Sequence, residues 1–254
     1  MNRKTILIGV GVVVILTIIG VACVMGLYSK ITPVMYPVAP PMPPVVSQSM
    51  NEILAQLEVE LKTKSPQVLT NLQPGLSMDR INELERQAGM QLPDDIKAIY
   101  HWRNGFNRSK LPSGALQVDG PMPGDCFVPL EEALEMHRDL TNQAGLTAVQ
   151  RTAFNALAGF TKSWITLFDD GAGDGYFYDP ARKPAEGAVF FHFMEDSDYT
   201  FFPSPKNLFA GMVKCYQQDA FVWKDGTNGG ALSENFNASE KIWREFGVKP
   251  PNPE

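Results

Sequence analysis

The stretch Trp164-Ile165-Thr166-Leu167-Phe168-Asp169-Asp170-Gly171-Ala172-Gly173-Asp174-Gly175-Tyr176-Phe177-Tyr178-Asp179 constrains the fold of this chain most tightly. Aromatic and aliphatic residues on either side supply two strands with buried faces. Between them, Gly171, Gly173 and Gly175 allow positive φ, while Asp169, Asp170 and Asp174 can hydrogen-bond their own backbone. The spacing therefore predicts a hairpin with strands at 164–169 and 175–179.

Helices precede and follow this hairpin. Ile53, Leu54, Leu57 and Leu61 recur at helical spacing over 49–63. A helix is expected at about 78–90, with Ile81, Leu84 and Ala88 on one face and Ser77 as its cap. Another is expected at 93–103, with Pro93 in its first turn and Asn104-Gly105 as a left-handed C-cap. A short strand is expected near 115–118 and helices at 129–140 and 147–160. Further strands are expected at 187–193 and about 198–202. Ser204-Pro205 opens a helix reaching Phe221, with Leu208, Met212, Val213 and Tyr216 inward. A Gly/Asn/Asp turn at 225–230 and a helix near 238–246 close the chain. Helices, then antiparallel strands, then helices make an α+β fold, a mostly antiparallel sheet flanked by helices.

The N-terminal part follows different rules. Arg3 and Lys4 are followed by no charge until Lys30, so Thr5–Ser29 is an uncharged run of 25 residues. At about 1.5 Å per residue, a helix of that length crosses a hydrocarbon core of roughly 30 Å. Residues 1–30 read first as one transmembrane anchor. A lipoprotein processed at Cys23 and a cleaved secretory signal are the alternatives. Positive charge on the N-terminal side predicts a cytoplasmic N-terminus and an extracytoplasmic domain. Residues 31–47 hold Pro33, Pro37, Pro40, Pro41, Pro43 and Pro44, an extended linker. Residues 48–254 are left for one globular domain.

The net charge of −6 excludes a basic nucleic-acid footprint. Cys126 and Cys215 read as buried thiols, with a disulfide as the alternative in an oxidising compartment. There is no C-x-x-C pair, Walker loop, G-x-S-x-G or H-E-x-x-H. Gly171-Ala172-Gly173-Asp174-Gly175 precedes a predicted strand and not a helix, which rules out a dinucleotide fingerprint.

Four pieces in order resemble one family: Leu92-Pro93-Asp94-Asp95 through Tyr100 to Asn104-Gly105; Val128-Pro129-Leu130-Glu131-Glu132; the Trp164 hairpin; and Phe202-Pro203-Ser204-Pro205 with Leu208. Together, over about 77–215, they resemble the SUKH superfamily, which contains yeast-type cell-wall-assembly regulators and many immunity proteins of bacterial polymorphic toxin systems. The resemblance implies a binding role without catalytic residues, often inhibition of a toxin by covering its active face. It predicts no enzyme, cofactor or metal. A membrane-anchored immunity protein is the first expectation, with a protein partner and the membrane as its contacts. A cell-envelope or wall-assembly regulator is the second. The anchor, the linker and the helix at 147–160 depart from the family pattern.

Seven residues are candidates for a partner interface. Trp102, beside Arg103, is an expected aromatic anchor. Asp169, Asp170 and Asp174 read first as turn residues and second as an acidic patch. As an EF-hand loop they fail, because the twelfth position falls on Pro180 or Ala181. Glu195, Asp196 and Asp198 form either a solvated turn or an acidic surface facing a basic nuclease toxin.

Overall fold

The computed structural model describes residues 40–107, 120–142, 164–171, 174–192, 200–225 and 230–248. The expected anchor, the strand near 115–118, the helix at 147–160 and the trio Glu195, Asp196 and Asp198 lie outside the described residues. None of the described helices is long and apolar enough to cross a membrane.

Helix α1 (Met50–Lys64) starts at a capping box: the Ser49 hydroxyl accepts the Glu52 amide, and the Glu52 carboxylate accepts the Ser49 amide. Its stripe of Ile53, Leu54, Leu57 and Leu61 is buried. A short helix α2 (Pro66–Asn71) and strand β1 (Leu72–Pro74) follow, neither foreseen because their few residues carry no periodic pattern. Helix α3 (Met78–Ala88) is capped by Ser77 and closed by Gly89 at φ 67°. Helix α4 (Asp94–Trp102) takes Pro93 as its N-cap. The buried Glu85 joins the two helices by accepting the Leu92 amide at 2.6 Å and pairing with Lys97 at 2.8 Å.

Asn104-Gly105 is not a helix cap. Arg103 takes that position in extended conformation, and strand β2 (Arg103–Phe106) runs antiparallel to β1. The pair serves the next helix instead. Asn104 Oδ1 accepts the Leu130 amide at 2.9 Å, and its Nδ2 donates to Glu131 at 2.9 Å, so Asn104 caps α5 (Leu130–Asn142) from a distant strand. Gly105 has φ +73°, and a Cβ there would lie 2.4 Å from the Pro129 nitrogen.

The main sheet is a five-stranded antiparallel meander, β3 (Cys126–Phe127), β4 (Ile165–Asp169), β5 (Gly175–Tyr178), β6 (Val189–His192) and β7 (Thr200–Phe202), in that order. Antiparallel sheets flanked by helices are thus the α+β architecture expected. Phe127, Ile165, Phe168 and Val189 join helices α1, α4, α5 and α6 (Pro205–Gln217) in one core. Trp164, Phe177 and Phe190 make a second, smaller cluster, with Phe201 against it. This alternation follows from the two-residue period of a strand.

Helix α6 ends at Gln217, short of Phe221. Asp219 adopts φ 55°, and Lys64 of α1 donates to the Tyr216 carbonyl and pairs with Asp219 at 2.6 Å. Phe221 instead opens strand β8 (Phe221–Lys224), which pairs with β9 (Ala231–Glu234) as a separate hairpin. Helix α7 (Phe236–Phe246), capped by Asn235, begins two residues earlier than the spacing predicts. The end of the proline segment is bonded to this unit: Asn207 accepts the Val46 amide and donates to the carbonyls of Pro44 and Phe246.

Candidate functional site

The β4–β5 turn holds itself with the carboxylates that the sequence singled out. Asp169 Oδ1 accepts the Gly171 amide at 3.0 Å, and Asp170 Oδ1 accepts the Asp174 amide at 3.1 Å. Gly175 pairs opposite Asp169, where a Cβ would lie 2.1 Å from the Phe168 carbonyl oxygen. Asp169 is buried, whereas Asp170 is exposed and Asp174 partly so. Among the described residues of the turn, the accessible carboxylates are those of Asp170 and Asp174.

A carboxylate that sequence reasoning missed stands beside them. Asp125 immediately precedes β3, and Cys126 of β3 pairs with Asp169. Burial pushes the Asp125 carboxyl up to about 7, and the negative charges of Asp170, Asp169, Glu234 and Asp174 push it the same way. Glu234, at the end of β9, is raised by burial while the Ser239 hydroxyl, donating to it at 2.5 Å, opposes the shift. Five acids from three separate stretches of chain thus converge at one end of the sheet. Asp125 and Glu234 carried no sequence signal, because each stands alone in an otherwise uncharged or mixed segment. Among the described residues, no group of three or more acids, histidines or cysteines has the arrangement of a metal site.

Asp179, at the far end of β5, has the opposite surroundings. It is 3 % exposed, accepts Trp164 Nε1 at 3.1 Å and the Ala181 amide at 2.9 Å, and lies 3.8 Å from Arg182. Arg182 in turn covers the Phe190 ring at 4.1 Å. Trp164 is buried, as expected, and its carbonyl meets His137 Nδ1 at 3.0 Å.

Trp102 is half-buried and held by α1. Its indole N–H donates to Glu58 at 2.9 Å, and Arg103 both pairs with Glu58 at 2.8 Å and lies over the Trp102 ring at 5.7 Å. These contacts do not join it to the acidic turn. Cys126 and Cys215 are both buried and form no disulfide with each other, and burial raises the Cys215 thiol.

The sheet, the hairpin and the Asn104–Leu130 junction coincide with a matched family segment. A model of the SMI1 / KNR4 family (SUKH-1) matches residues 75–206, running from three residues before α3 to the first turn of α6. No curated protein matches the chain. The family segment holds the Leu92-Pro93, Asn104-Gly105 and Trp164 motifs together, each with a contact that explains it, and the chain belongs to the SMI1/KNR4 (SUKH-1) family.

Proposed function

We propose that this chain is a membrane-anchored binding protein, not an enzyme, whose SUKH-type domain neutralises a basic toxin by occupying it. The observation that carries this reading is the gathering of Asp169, Asp170, Asp174 and Glu234 about Asp125 at one end of the sheet, where burial first and these charges second push the Asp125 carboxyl up to about 7. Negative charge gathered in this way steers a basic partner and speeds its association. The uncharged run at 5–29 supplies the anchor in this reading, and the domain faces away from the cytoplasm.

The test is capture of partners by the full chain from its own cells and from competitors' secreted fractions, read by mass spectrometry. A stoichiometric basic, toxin-like protein is expected. Its association with the double variant Asp170→Asn/Asp174→Asn is expected to be slower at low salt and nearly unchanged at high salt. Unchanged kinetics at low salt would remove the acidic end from the interface.

The second reading is an envelope or wall-assembly regulator. It draws on Asn207, which clasps the proline segment at Pro44 and Val46 and so sets where the domain hangs from its tether. Recovery of wall-synthesis proteins in place of a toxin would favour it.

A further inference from the structure

A cleft of about 300 Å³ opens between the main sheet and the C-terminal hairpin and helix. Two of its walls are aromatic and held in place. Tyr176 of β5 meets Phe191 edge-on at 5.0 Å, and Trp243 of α7 meets Phe202 edge-on at 5.5 Å. Trp243 also lies against Gly211, where a Cβ would be 2.4 Å from its Cζ3. The third ring is Phe236, which is 74 % exposed.

Glu234 also lines the cleft, and among the described residues its carboxylate meets only the Ser239 hydroxyl. The cation on the wall, Arg244, is already paired with Glu240 at 3.0 Å. Among the described residues Glu234 has no ion-pair partner, and burial raises its carboxyl while the Ser239 hydroxyl opposes the shift. Rigid rings around an uncompensated carboxylate are the surroundings that a cation on an apolar stem prefers. Glu234, Phe236, Ser239 and Trp243 lie beyond the matched family segment, whereas Tyr176 and Thr200 lie within it.

We propose that this cleft receives an arginine or lysine side chain of the protein partner, its charge on Glu234 and its stem against Tyr176, Trp243 and Phe236. The proposal rests on the reading that the domain binds a protein. The exposed Phe236 at the rim favours a protein over a free amine, because a partner's surface covers it on docking. The acidic end, to which Glu234 contributes, brings a basic partner to this place.

The experiment uses the full chain in neutral detergent, labelled with 5-fluorotryptophan. Four tryptophans give four fluorine signals, assigned by Trp→Phe variants. The probes are the capped peptide Gly-Arg-Gly and its counterpart with neutral citrulline in place of arginine. The Trp243 signal is expected to shift saturably with the arginine peptide and at least about fivefold more weakly with citrulline. Glu234→Gln and Phe236→Ala are each expected to weaken the response about fivefold, with the Trp164 signal unmoved as the reporter of an intact fold. Equal responses to both peptides, or an unmoved Trp243 signal, would overturn the proposal. A captured partner that binds Glu234→Gln as tightly as the parent overturns the cleft and leaves the binding reading standing. A response at Trp243 without any captured protein overturns the binding reading and leaves only a cation site.

Discussion

Two carboxylate regions on the same sheet have opposite surroundings. At Asp179 both oxygens accept hydrogen bonds, from the Trp164 indole and the Ala181 amide, and Arg182 lies alongside. At the other end of β5, Asp125 and Glu234 face further carboxylates, and burial raises both. A buried acid with partners for its lone pairs holds a fold together; acids gathered against one another weaken it and wait for a cation. The difference separates what this domain uses for stability from what it offers to a partner.

The largest effect is expected at the satisfied end. Asp179→Ala leaves the Trp164 indole N–H buried without its acceptor and uncouples Arg182, and should cost about 3 kcal/mol in urea unfolding without altering partner affinity. A loss under about 1 kcal/mol would erase the contrast.

The acidic end should respond in the opposite sense. The folded protein holds the Asp125 proton up to about pH 7, whereas the unfolded chain releases it near the ordinary aspartate value of 3.8. The folded state therefore binds more protons between those values, and stability falls as pH rises from about 4 to about 7. Asp125→Asn should flatten that fall and add on the order of 2 kcal/mol at pH 8. Unfolding curves at pH 4, 6 and 8 check the slope, and an unchanged slope would mean that Asp125 is not the group responsible.

Smaller still is the stability change for Glu234→Gln, expected to be neutral or a gain below about 1 kcal/mol, because the amide keeps an acceptor for Ser239 and loses the charge. The smallest is Asp170→Asn/Asp174→Asn. Asparagine preserves the turn acceptor at Asp170, so unfolding should shift by under about 0.5 kcal/mol while association at low salt slows.

Local pattern made much of the fold legible. The stripe in α1, the Ser77 cap and the β4–β5 turn depend on neighbours within a few residues, and each is found where its spacing points. The misreadings share one cause. Asn104-Gly105 looks like a helix end, yet its side-chain partners are Leu130 and Glu131, across 26 and 27 positions of chain. Helix α6 stops before Phe221 where Asp219 turns to φ 55°, and Lys64, 155 positions away, pairs with Asp219 there. The candidate site divides in the same way. Asp170 and Asp174 announce themselves in a turn motif, while Asp125 and Glu234 reach that end only through strand pairing and the return of β9.

The sequence by itself determined the longer helices, the antiparallel hairpin and the family, because hydrophobic period, turn chemistry and caps act within a few residues. Only the tertiary structure decided which acids are silent and which are exposed to one another. Asp169 and Asp179 look the same as Asp170 on paper, and packing buried the first two against donors. Burial and the distance between charges set the state of a carboxylate, and both are properties of chain segments brought together, not of any segment alone.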